Sequence, residues 1–184
     1  MDRLMIQIHT PGMEAQHVIA DDLFARISMP DLLDGPDTPY RVKGVVDIEG
    51  HPAPTFGTAL LTNGTLGADV LDIPPYARFP LHTHPGHHLL YCLRGTGTFT
   101  LAGVVHTVHP GDLMMVEGQI PHAVGAGPDG HTILAIGSPH THVGSPNRMT
   151  VVLEDDDECA AAIRAVMEAE GVRVVTPEAA APTP

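Results

Sequence analysis

From Tyr40 onward the chain is written in short apolar runs separated by turn residues. RVKGVVDI (41–48), FGTALLT (56–62) and LGADVLDI (66–73) come first, punctuated by Gly, Pro and Asn-Gly. HHLLYCLR, GTFTLAG, VVHTVH, DLMMVE, HAVGA and HTILAIG follow, each bounded by Gly or Pro. Runs this short and this evenly spaced predict strands, and many of them in succession predict an all-β sandwich or barrel over 41–144.

The flanks read differently. Residues 1–40 form an N-terminal extension in which EAQHVIADDLFARI (14–27) suits a short helix with Val18, Phe24 and Ile27 inward, followed by a loop-like SMPDLLDGPDTP. Residues 145–175 carry a strand, TVVL (150–153), and then a helix over EDDDECAAAIRAVMEAEG. Ala162, Ile163, Val166 and Met167 give that helix one apolar stripe, and Gly171 stands where a C′ glycine belongs. The acidic run Asp155–Glu158 reads as a helix start that complements the macrodipole rather than a ligand cluster. The tail 176–184 is expected to be disordered.

Composition narrows the function classes. A chain of 184 residues, 43% hydrophobic and 17% charged, suits one globular domain. A formal charge of −13 makes nucleic acid and anionic membrane surfaces poor partners. No apolar run approaches a membrane span and the N-terminus lacks a signal-like segment, so a cytoplasmic location is expected. Cys92 and Cys159 have no CxxC spacing and read as reduced thiols, Cys92 as a small buried hydrophobe.

The thirteen histidines change the picture, because of where they fall. In HTHPGHHLLYCLRG (82–95), His82 and His84 share one face of a strand and can converge on one ion. Pro85 and Gly86 end that strand. In the next run His88 shares a face with Leu90 and Cys92, and His87 with Leu89 and Tyr91, so parity favours His88 over His87 as an inward donor. His122, after Pro121, offers a fourth imidazole. Such a set suits zinc, copper, iron or nickel and leaves the ion's charge uncompensated by protein. Arg78 and Tyr76 have the parity of His82. If the strand runs without a bulge both face the same cavity, where Arg78 could clamp a carboxylate; otherwise Arg78 pairs at the rim. A second HxH, His140 and His142 in SPHTHVGSP, lies among turn residues and reads as loop. His106 and His109 read as exposed.

HTHPGHHLLYCLRG followed by PGDLMMVEGQIPH resembles the two motifs of the cupin superfamily, G(x)5HxH(x)3,4E(x)6G and G(x)5PxG(x)2H(x)3N. His82 and His84 take the HxH, His88 the glutamate position, Gly95 the closing glycine, and Gly111, Pro121 and His122 fall in the second motif. The resemblance covers roughly residues 57–138. Tyr76 replaces the opening glycine, Glu117 and Gly118 stand where prolines are common, and Ala126 stands at the asparagine. The resemblance implies a jelly-roll barrel (double-stranded β-helix) with a tetra-histidine site, His82, His84, His88 and His122, holding one divalent iron, manganese, nickel or zinc ion. It implies a metal-dependent enzyme acting on a small polar molecule, with oxygenase chemistry ahead of redox-neutral isomerase or lyase chemistry and of a ligand-binding or sensor role. A homodimer is the expected assembly.

Overall fold

The computed structural model describes residues 39–153 and 159–180 in full, and the backbone of 5–8 and 16–19. Twelve strands join one curled sheet: β1 (Met5–Ile8), β2 (Gln16–Ile19), β3 (Tyr40–Val42), β4 (Thr55–Thr62), β5 (Gly67–Ile73), β6 (Arg78–Thr83), β7 (His87–Leu101), β8 (Val104–Val108), β9 (Leu113–Val116), β10 (His122–Ser138), β11 (Thr150–Val152) and β12 (Arg173–Val175). A 3₁₀ turn occupies Pro146–Arg148, helix α1 runs Ala160–Glu170, and a short α2 spans Pro177–Ala180. Every strand pair is antiparallel except β11 with β12. Among the described residues no helix is long and apolar enough to cross a membrane.

The barrel turns on two long strands that the hydrophobic pattern divides in half. HHLLYCLR and GTFTLAG are both β7; HAVGA and HTILAIG are both β10. The first part of β10 lies between β6 and the end of β7, while its second part lies between β5 and the start of β7. Between them the pairing register shifts, from Ala126 to His131, and this break carries the chain from one layer to the other. Glycine makes the corner possible. Gly95 has φ +75°, and a Cβ there would run into the carbonyl of Gly130, itself at φ +77°.

Alternation fills the interior. On β7, Leu90 and Cys92 are buried while Leu89 and Tyr91 face out; Phe99 continues the inner set. They meet Leu71, Val124 and Ile133 from β5 and β10 in the core. Helix α1 packs its apolar stripe onto the core. Ile163, Val166 and Met167 are buried against the barrel, each large side chain contributing roughly 1.5–3 kcal/mol. Gly171 ends α1 in the left-handed conformation at φ 72°, its N–H donating to the carbonyl of Glu168.

Three expectations need correction. Within the stretch 14–27 suited to a helix, Gln16–Ile19 is strand β2, paired through β1 to the edge of β4; the sheet edge supplies backbone partners that a lone short helix lacks. The rest of that helix lies outside the described residues, as does the acidic run 154–158. RVKGVVDI is a strand only to Val42, because Gly44 at φ +77° turns the chain and leaves Val46 as an isolated bridge to Arg78 and Pro52. In the tail, Pro177–Ala180 forms a helical turn: proline is preorganised for a first helical position, and the N–H groups of Ala179 and Ala180 donate to the carbonyl of Thr176.

Candidate metal centre

His82 and His84 stand at the end of β6 and just beyond it, and His122 opens β10 directly opposite His82. All three are buried, at 6%, 4% and 1% exposure. Each ring is fixed by a backbone carbonyl two residues away. The Nδ1 atoms of His82, His84 and His122 lie 2.8, 2.7 and 2.9 Å from the carbonyl oxygens of Pro80, Gly86 and Ile120. A carbonyl only accepts, so each Nδ1 carries the proton and each Nε2 presents a lone pair. The prolines and glycine around the histidines therefore do more than end strands: they place carbonyls that choose the tautomer.

Those lone pairs converge. Donor atoms of the three rings lie within 4.8 Å of one another, and the Nε2 atoms of His84 and His122 are 3.1 Å apart. Two imidazole nitrogens held at right angles around an ion ~2.1 Å away would lie about 3.0 Å apart. Two facing lone pairs repel unless a cation sits between them, so the donor set fits a divalent transition metal. The outer N–H to carbonyl bonds are also what a metal-ligating histidine uses to fix its ring. Burial keeps the rings neutral and ready to ligate. It lowers the basicity of His82 far below the ordinary value, with His122 and His84 adding to it; it takes His84 to about 4 and lowers His122.

His88 is brought to the same place but does not join the convergence. Its ring lies flat on His84, with centroids 3.8 Å apart and planes 20° from parallel. The site is tight there, since a Cβ at Gly137 would press on the His88 ring at 2.8 Å. Burial first, then His84, drives its basicity well below normal. His87 turns outward, where its Nδ1 accepts from the N–H of Gly118 at 3.2 Å. His106 and His109 are exposed. His140 is a loop residue but not a loose one: its Nε2 meets Asp69 Oδ2 at 3.1 Å, with both side chains largely buried.

Beside the histidines opens a narrow cavity of about 20 Å³, room for about one water before any side chain moves. Leu71, Phe79, Leu90, Val124 and Ile133 make its apolar wall; His82, His84, His88 and Arg148 supply its polar atoms. Arg78 and Tyr76 are not on this wall. Between His122 and Val124 the β10 register advances two residues, while its partner β6 advances three, from His82 back to Phe79. The extra residue, next to Pro80, reverses parity and gives Phe79 the inward place expected for Arg78. Tyr76 is 57% exposed in a turn at φ 60°. Arg148, which the pattern did not single out, is the arginine that reaches the cavity.

Comparison with known proteins agrees with this geometry. Residues 69–137 match the Cupin domain family. The match covers His82, His84, His88 and His122, and stops short of Arg148. Over 121 residues the chain is 28% identical to the dimethylsulfoniopropionate lyase DddW of Ruegeria pomeroyi, covering 60% of this chain and 80% of that one. The polyketide cyclase RemF from Streptomyces resistomycificus superposes with a TM-score of 0.50 at 19% identity, over 64% of this chain and 81% of that one. A cupin-like protein from Thermotoga maritima gives a TM-score of 0.47 at 22% identity, over 80% and 98%. The likeness to RemF is one of fold. These likenesses concern the barrel and leave the chemistry to the side chains.

Proposed function

We propose that this cupin barrel is a metal-dependent enzyme acting on a small polar molecule, with His82, His84 and His122 holding one divalent transition ion and His88 as the fourth donor. The observation that carries the reading is the convergence of three carbonyl-anchored, neutral imidazoles on one point. A bound ion would supply Lewis acidity at that point, polarising a substrate oxygen. The protein does the rest. Leu71, Leu90, Val124 and Ile133 exclude water, and the tautomers fixed by Pro80, Gly86 and Ile120 keep the Nε2 lone pairs directed inward.

Redox-neutral lyase chemistry moves ahead of oxygenase chemistry, on the 28% likeness to a lyase. The oxygenase reading stays second, because an all-imidazole shell also suits iron and leaves positions open in an octahedral ion. Elemental analysis of protein purified without added metal, paired with oxygen-uptake measurements on small carboxylates, separates the two. A stoichiometric first-row metal with product formed and no oxygen consumed is the expected result; product formation that consumes oxygen would restore the oxygenase. Protein that neither carries metal nor takes it up ends both readings. For the fourth donor, His88→Ala should lower metal content and His87→Ala should not. Full metal content in His88→Ala would remove His88 from the shell.

A further inference from the structure

The cavity holds one permanent cation and no carboxylate. Arg148 lines it at the end of the Pro146–Arg148 turn, and its Nη1 is shut off from solvent with no hydrogen-bond partner. The guanidinium carbon sits 5.6 Å from the centre of the Phe79 ring, so one face is covered by an aromatic. Among the described residues no acid forms an ion pair with it. Asp69 is near enough to act on it electrostatically, but that carboxylate already engages His140 through Oδ2.

Arg148 is half-buried, with Nη1 closed off from water; a cation partly desolvated and left unpaired is costly, and an arginine cannot escape by losing its proton. A metal held by His82, His84 and His122 would add a second positive charge beside it. An anion bound in the cavity would offset both. Arg148 is also well placed to hold one: β11 begins two residues later and pairs with β6, Thr150 opposite Thr83 and Val151 opposite His82, which ties the arginine to the strand that carries the first histidines.

We propose that Arg148 is the carboxylate anchor of this cavity, holding a small monocarboxylate by its guanidinium while the rest of that molecule extends over the apolar wall toward the histidines. The choice of carboxylate follows from one planar fork in a narrow, mostly apolar chamber whose lining side chains include no second guanidinium or ammonium to clamp a phosphate. This inference rests on the metal-enzyme reading for the direction in which the substrate lies, but not for the anchor itself.

The test uses propionate and propionamide, which match in size and differ in charge, with inorganic phosphate as a third probe. Each is titrated into the protein as purified, by calorimetry, with metal content measured on the same samples. The wild type should prefer propionate over propionamide by about tenfold or more. Arg148→Gln should abolish that preference with metal content unchanged, and Arg148→Lys should keep part of it, as a charge without a fork. If Arg148→Gln does not fold, side-chain ¹⁵N NMR of the wild type reads the same contact: the Arg148 guanidinium signal should shift with propionate and not with propionamide. Equal affinity for the two, an unmoved Arg148 signal, tighter binding of phosphate, or undiminished propionate binding by Arg148→Gln would each overturn the anchor. A wild type that neither carries metal nor takes it up, yet still binds propionate through Arg148, would sink the metal reading alone.

Discussion

Two segments of this chain spell His-x-His, and they meet different fates. His82 and His84 lie at the end of β6 and just beyond it, with Nδ1 of each ring held by a neighbouring carbonyl and donor atoms converging with those of His122. His140 and His142 lie in the loop after β10 and diverge: His140 binds Asp69, while His142 meets Tyr40 edge-on at 4.5 Å and accepts from the N–H of Gly144. Spacing puts two imidazoles on one face only when the backbone is extended. A further condition is carbonyls that fix the tautomer, and a third donor across the sheet. The first pair meets all three conditions, while the rings of the second are engaged by Asp69 and by Tyr40 and Gly144.

The largest effect that separates the pairs is on metal. His122→Ala or His82→Ala should bring metal content to background, while His140→Ala should leave it at the wild-type level, measured by elemental analysis of matched preparations. Equal losses in both would mean that the second pair feeds the same site. The reverse contrast should appear in stability. His140→Ala leaves Asp69 buried with neither oxygen paired, since Oδ1 already has no partner, and should cost about 2–3 kcal/mol in denaturant unfolding. Adding Asp69→Ala should return most of that loss, and a double variant no better than the single one would show that the pair is not the cause.

Acid should act through the first pair. Burial favours neutral His84, lowering it from 6.5 to about 4, so between those values the unfolded chain binds more protons than the folded one. Stability is full above 6.5 and falls as the pH drops through that window. In chelator-treated protein, His84→Gln should therefore lose less stability than the wild type between pH 6.5 and pH 4, followed by thermal melting. Parallel curves for the two proteins would show that His84 does not carry the effect.

What the sequence makes legible follows from how local the cause is. The strand periods, the inward set on β7 and the pair His82 and His84 rest on alternation and on neighbours within two residues, and all were readable. Arg78 and Tyr76 were placed by extending that alternation past Pro80, where the bulge in β6 reverses it. β7 and β10 were each divided in half because glycines that make a corner look like glycines that end a strand. Arg148 had no local signal at all: a lone arginine in SPNR reaches the cavity because β11 folds back onto β6, a pairing between residues far apart in the sequence.

The smallest effect belongs to His142, and it tests the comparison at its weakest point. The edge contact of this exposed ring with Tyr40 and its loop hydrogen bond are together worth on the order of 0.5–1.5 kcal/mol. His142→Ala should lower the denaturation midpoint by that small amount and leave metal content and propionate binding alone. If metal content fell, the loop pair would be reaching the centre after all, and the rule drawn from β6 would be too strict. An unchanged centre would leave two segments with the same spelling separated by their surroundings: carbonyls and His122 around the first, Asp69 and Tyr40 around the second.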